Sequence, residues 1–94
     1  MIVEFDPDKD DANRLKHGVP LLFGLRVFDD KDHIILASFR PVDGEDRFKA
    51  VGLIAGRLWT IIYVERGDAI RLISARRSND GEQGNYDRHS RGSQ

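Results

Sequence analysis

Cysteine is absent from the 94 residues, which removes disulfides, thiolate nucleophiles and Cys-based metal sites together. Long apolar runs are missing too. None nears the roughly 18 to 20 residues needed to span a bilayer, and the start Met1-Ile2-Val3-Glu4-Phe5-Asp6 lacks the basic stretch of a signal peptide. The chain therefore reads as soluble and cytoplasmic. There is no phosphate-binding Gly loop, no Gly-x-Ser-x-Gly elbow and no His-x-x-x-His pair, so any chemistry must come from scattered side chains. An excess of one charge is also missing: 15 bases against 16 acids leave a net charge of -1, which on its face argues against a nucleic-acid partner.

That sum hides a strong polarity. Residues 1–46 hold eleven acids and six bases, whereas residues 47–94 hold nine bases and five acids. Eight of those nine bases are Arg, whose planar fork suits bidentate phosphate binding. Solvated strand faces account for the same composition, so the pattern by itself leaves both readings open.

Local signals divide the chain in two. Asp6 is a good N-cap, Pro7 fits the first helical position, acids follow at Asp8, Asp10 and Asp11, and Arg14, Lys16 and His17 lead to a Gly18 stop. Ala12 and Leu15 are the interior apolar residues of that helix, and they predict one edge on the core. A second helix is expected from Pro20 to Phe28. It is apolar on nearly every side, with Gly24 costing roughly 1 kcal/mol relative to Ala, and such apolarity suggests two partners, the sheet and another surface. From His33 the pattern is β-like: His33–Phe39, Arg47–Ile54, Arg57–Glu65 and Ala69–Arg77, joined by short turns, predict a four-stranded antiparallel meander. Residues 1–5 are a candidate edge strand. Residues 79–86 read as a weak helix and 87–94 as disordered, leaving residues 1–78 as a single domain of α+β class.

Asp6, Asp8 and Asp10 have the spacing of a calcium loop's first ligands, but Asp11 stands where Gly is required and His17 where a bidentate Glu is required. Helix capping explains those acids better. No metal or other cofactor is expected.

Another combination is more specific. Phe5-Asp6, Lys9, Asn13-Arg14-Leu15-Lys16-His17-Gly18-Val19, Phe28-Asp29-Asp30, Gly44-Glu45-Asp46-Arg47, Gly52, Tyr63-Val64-Glu65-Arg66-Gly67 and Ile70-Arg71-Leu72-Ile73-Ser74-Ala75-Arg76-Arg77 together resemble the BrnT family of toxins in order and spacing. The resemblance implies a RelE-like α/β fold and a ribonuclease that stops translation. It also implies a DNA-binding BrnA-like antitoxin of ribbon-helix-helix type, which covers the toxin and represses the shared operon. Two departures stand out. Leu22 and Phe23 occupy positions where that family carries acidic or small polar residues. Beyond Arg77, Glu82 and Tyr86 are in place, but Asn79, Asp80, Gly81 and Gly84 replace bases and helix formers, so the last helix should be frayed or formed only with a partner.

Metal-free RNA cleavage needs a base for the 2'-hydroxyl, cations for the transition state and an acid for the leaving oxygen. His17, which titrates near neutrality, is the candidate acid or base; capping the helix end is its alternative. Lys16 projects about 100° away and is read as a separate phosphate contact. Glu45 and Arg47, two apart, share a strand face and are a base beside a cation or a surface ion pair. Tyr63 is read as stacking on a base, donating to the phosphate, or filling the core. Simple alternation puts Arg71 and Arg77 on one strand face as the RNA surface. Arg76 faces the other way unless a bulge intervenes, contacting substrate or tying down the last helix. Arg66, in a turn, is a substrate contact. The catalytic set is thus His17, Glu45, Arg47, Tyr63 and Arg77, with Lys16, Arg66, Arg71 and Arg76 binding substrate. Leu22, Phe23 and Tyr86 are the expected partner-facing residues, and the second helix a surface for self-association. The rival reading is a catalytically weak binding module that pairs with the antitoxin in operon autoregulation.

Overall fold

The computed structural model describes residues 2–40 and 45–92, with side chains for 2–38 and 46–90. Strand β1 (Ile2–Glu4) leads into helix α1 (Pro7–His17) and a 3-10 helix (Leu21–Asp29). Strands β2 (Ile34–Arg40), β3 (Glu45–Ile54), β4 (Arg57–Arg66) and β5 (Ala69–Arg77) follow, and helix α2 (Asp80–Gly92) closes the order. The sheet has five strands in the order β1-β5-β4-β3-β2. Strands β2 to β5 form the expected antiparallel meander. A four-stranded sheet is nevertheless an undercount, because the meander leaves the outer edge of β5 open and β1 pairs there in parallel, Ile2 against Ala69 and Glu4 against Arg71.

β1 covers only the first three residues of β5. Beyond it, α1 takes over the edge. Asn13 donates from Nδ2 to the Ala75 carbonyl (2.9 Å) and accepts from the Ala75 amide at Oδ1 (3.1 Å), so its side-chain amide continues the ladder as a strand would. The helix therefore docks through polar groups. Asp10 and Asn13 are its buried residues, while Leu15, expected at the core, is 90% exposed. A strand edge offers unpaired N–H and C=O groups rather than an apolar surface, and only polar side chains satisfy them. The caps are as the sequence predicts: the Asp6 carboxylate accepts from the Asp8 amide (2.9 Å), and Gly18 ends the helix at φ 79°.

The second helix is a 3-10 helix, not an α-helix. Leu21, Gly24 and Val27, three apart, are its buried residues, and in a 3-10 helix residues at i and i+3 eclipse to form one straight row. At Gly24 a Cβ would meet Ala75 Cβ and Ile61 Cδ1, each at 2.9 Å, so only glycine lets the backbone lie so close to β4 and β5. Phe23, Leu25 and Phe28 flank the row and pack on the main core of Leu21, Val27, Ala50, Ile54, Ile61, Tyr63, Leu72 and Ala75. The sheet thus absorbs most of the apolarity that suggested a second partner, and Leu22, 47% exposed, is what remains.

A smaller core of Ile34, Val51 and Tyr86 lies on the other face of the sheet, under α2. This helix is neither short nor frayed: it runs to Gly92 through residues read as disordered. Its start is a reciprocal capping box, in which the Glu82 amide donates to Asn79 Oδ1 (2.9 Å) and the Asn79 amide donates to Glu82 Oε1 (3.0 Å).

Candidate active site

The register of β4 and β5 decides which arginines can act together. Ile62 faces Ser74 but Tyr63 faces Leu72, so Ile73 is an extra residue on β5. Such a bulge flips the alternation beyond it. Arg71, opposite Val64, and Arg76, opposite Thr60, consequently share the α2 side of the sheet, while Arg77 pairs with Trp59 on the side of the 3-10 helix. The expected pairing of Arg71 with Arg77 is thereby replaced by Arg71 with Arg76.

Beside the bulge, α1 and β5 enclose a groove of about 170 Å³ lined by Lys9, Ala12, Asn13, Lys16, His17, Ile73 and Ser74. His17 and Lys16 both face it, although their separation around the helix had suggested different targets. Partial burial, then the charges of Lys16 and Arg76, push His17 below its ordinary value, leaving a neutral imidazole near pH 7. A neutral imidazole amid cations is suited to accept a proton next to an anionic phosphate.

Arg76 is held by Glu82. Its Nη1 and Nη2 donate to Glu82 Oε1 and Oε2, each at 2.8 Å. The carboxylate also accepts from the Thr60 hydroxyl (2.9 Å) and lies 3.2 Å from Lys49 Nζ. Burial would push Glu82 up, but Arg76, the Asn79 amide, Thr60 and Lys49 outweigh it and hold the group down at about 2. The Glu82 hydrogen bond in turn raises Arg76 above its ordinary value. This arrangement fits the alternative in which Arg76 ties down the last helix, while its charge still reaches His17. On the same face, Arg71 lies 3.6 Å from Glu4, and Arg47 pairs with Val64.

Other expected site residues are placed apart. The Tyr63 ring is 4% exposed and packs between Phe48 (5.7 Å, stacked) and Phe28 (5.9 Å, edge-on); burial, then the charge of Glu65, pushes its phenol above the ordinary value. It is a core residue on the face opposite the groove. Arg77, on that same face, lies 5.7 Å over Trp59. Arg66 is exposed at the end of β4. Glu45 begins β3, and its side chain lies outside the described residues. Phe23 is edge-on to Trp59 at 4.8 Å, a packing role that leaves Leu22 as the exposed residue of the pair. Tyr86 is engaged within the chain. It is 7% exposed and donates to Asp30 Oδ2 at 2.7 Å, and burial together with that carboxylate pushes its phenol up to about 12. Burial would raise Asp30 too, but the Leu53 amide, the Tyr86 hydroxyl and the Asp32 amide draw it below its ordinary value.

Sequence reasoning missed Lys9, Asn13 and Ser74 as groove residues and Glu82 as the organiser of Arg76. Lys9, Asn13 and Lys16 follow one helical face at spacings of four and three, and Asn79-x-x-Glu82 has the form of a capping box; both signals were present. Ser74 depends on the bulge, which alternation does not reveal. Among the described residues no group of three or more His, Asp or Glu side chains is gathered to hold a metal ion. No described helix is long and apolar enough to cross a membrane.

The class this defines is a small α+β protein with a histidine in a cationic groove at a sheet edge. More particularly, the family described as "Ribonuclease toxin, BrnT, of type II toxin-antitoxin system" matches residues 5–82, and the chain belongs to that family. No curated protein matches it.

Proposed function

We propose that this chain is a metal-independent endoribonuclease, RelE-like in architecture, that cuts RNA in the groove between α1 and β5 and so inhibits translation. The observation that carries the reading is His17, held neutral between Lys16 and Arg76 in a groove open to an anion. His17 takes the proton of a 2'-hydroxyl, whose oxygen attacks the adjacent phosphorus. The 5'-oxygen leaves and takes a proton from water or from the His17 imidazolium, and the product is a 2',3'-cyclic phosphate. Lys9, Lys16 and Arg76 stabilise the charge that builds on the phosphoryl oxygens, and Arg71 and Arg47 extend the cationic face along the sheet. The base and the cations all lie within residues 1–78; α2 contributes Glu82, which orients Arg76. A cytoplasmic DNA-binding antitoxin of ribbon-helix-helix type neutralises the protein, with exposed Leu22 as a contact.

Protein freed of antitoxin should cleave RNA in excess EDTA, and His17→Ala should lower the rate by about 10²-fold or more. Undiminished cleavage by His17→Ala would remove the site; RNA decaying equally with and without the protein would remove the activity. One observation favours a second reading, a weakly active module that pairs with the antitoxin in autoregulation: Glu82 already draws on Arg76 through Nη1 and Nη2 and lies against Lys49, which partly neutralises both cations. Induced expression separates the two, since a nuclease arrests growth and a binding module does not.

A further inference from the structure

The groove leaves Arg77 unexplained, together with a second group of cations on the opposite face. Arg57 and Trp59 are two apart on β4, and Arg77 pairs with Trp59 across the ladder, so all three share that face. The Arg77 guanidinium lies 5.7 Å over the Trp59 ring, Trp59 is edge-on to Phe23 at 4.8 Å, and the Arg26 guanidinium lies 5.4 Å over Phe23. Two exposed guanidiniums thus lie over two half-buried rings, with exposed Arg57 two residues from Trp59 along β4. Among the described residues Arg26, Arg57 and Arg77 form no ion pair, whereas Arg14, Lys49, Arg71 and Arg76 each face a carboxylate. Arg57 and Arg77 also line a cleft of about 370 Å³ between the β3–β4 turn and α2, with Ser78, Gln83, Tyr86 and Asp87 among its walls. That volume is in the range of small-ligand sites.

We infer that this cleft is a second nucleotide subsite for single-stranded RNA, distinct from the groove at His17. Arg57 and Arg77 take a backbone phosphate through their forks, and the Arg77 plane, backed at 5.7 Å by the Trp59 ring outside the cleft wall, offers a stacking surface for a base. Asp87 and Gln83 present an acceptor and an amide to the exocyclic amino groups of that base. Asp87 also argues for RNA over an acidic protein segment, since a carboxylate in the wall repels a second carboxylate while accepting from a base amine. The subsite rests on the nuclease reading for its purpose but not for its binding test.

Trp59 is the one tryptophan in the chain and lies under the Arg77 guanidinium rather than in the cleft wall, so its fluorescence reports on the cleft through Arg77. A cleavage-resistant 2'-O-methyl oligonucleotide of about eight residues should quench it saturably. Arg57→Ala and Arg77→Ala should each weaken binding about tenfold, read both by quenching and by anisotropy of the labelled strand, and Arg57→Lys should restore part of it. Circular dichroism of each variant confirms its fold. RNA binding by anisotropy that is unchanged in both Ala variants overturns the subsite. So does a poly-glutamate peptide that quenches Trp59 more tightly than RNA, which would assign the patch to an acidic protein. If the protein cleaves RNA and both Ala variants bind it as the wild type does, only the subsite falls; if the Ala variants weaken binding but the wild type never cuts RNA, the nuclease reading falls and the subsite stands.

Discussion

At the scale of single residues, Glu82 carries the most consequence. It is 3% exposed, and a carboxylate so buried persists only because Arg76, Lys49, Thr60 and the Asn79 amide surround it. In the unfolded chain it titrates at an ordinary 4.5, in the folded chain at about 2, a difference worth about 3 kcal/mol. Because the folded value is depressed, this stabilisation is complete above 4.5 and is lost as pH falls from there toward about 2. Urea unfolding across that window should show a steep loss of stability, and Glu82→Gln should be less stable at neutral pH with a flatter acid slope; an unchanged slope would contradict the burial of this charge. His17 gives a catalytic counterpart. Its value is lowered by burial, Lys16 and Arg76, so if it serves as the base, the acid limb of kcat/KM should fall with a midpoint below 6.5 and move upward in Lys16→Ala. Candidates of this kind were readable from residue type. What was not readable is which side chain is already taken: Tyr63 looked available to substrate and Tyr86 to a partner, but the core and Asp30 engage them.

Between residue and molecule, the elements show where pattern reasoning succeeds and why it stops. The α1 caps, the meander and its β3–β4 and β4–β5 turns follow from local chemistry and were legible as such, while the expected turn at residues 41–44 lies outside the described residues. The 3-10 helix was misread because all-round apolarity was judged against a period of 3.6. The buried triplet Leu21, Gly24 and Val27 instead has a period of three, and its glycine is dictated by strands distant in sequence. Gly24 therefore reverses the usual propensity argument. Ala should favour an isolated helix by about 1 kcal/mol, yet here its Cβ would overlap Ala75 and Ile61 at 2.9 Å, so Gly24→Ala should destabilise the protein by about 1 to 3 kcal/mol. Thermal or urea unfolding decides between the two signs. The Ile73 bulge was similarly invisible, since alternation along β5 supplies no signal for an added residue, and that single residue moved Arg77 off the face of Arg71 and put Arg76 there instead. Helix α2 failed for another reason: two glycines weighed heavily in the propensity sum, while the Asn79–Glu82 box and the Tyr86 anchor outweighed them in the folded chain.

For the whole molecule, the net charge of -1 is the outcome of internal pairing and does not by itself exclude nucleic acid. The fold brings acids of the first half onto bases of the second, as in Glu4 with Arg71, and pairs others locally, as in Asp10 with Arg14 and Glu82 with Arg76. Among the described residues, the cations without a carboxylate partner include two groups, Lys9, Lys16 and His17 around the groove, and Arg26, Arg57 and Arg77 at the other end of the sheet. A protein so arranged should bind RNA with few counterions released. For single strands each neutralised phosphate contributes about 0.7 to the slope of log K against log salt, so contact with three or four phosphates predicts a slope of roughly -2 to -3. Lys16→Ala should remove about 0.7 of it, and Arg57→Ala a similar share if the second subsite holds a phosphate. Titration of a cleavage-resistant oligonucleotide at several salt concentrations measures both. A slope near -6 would mean that attraction is spread over the surface, and the two-site account of the charge distribution would fail. A slope near -1 in the wild type, unchanged by Lys16→Ala, would remove the groove from RNA binding and leave its histidine without a substrate to act upon.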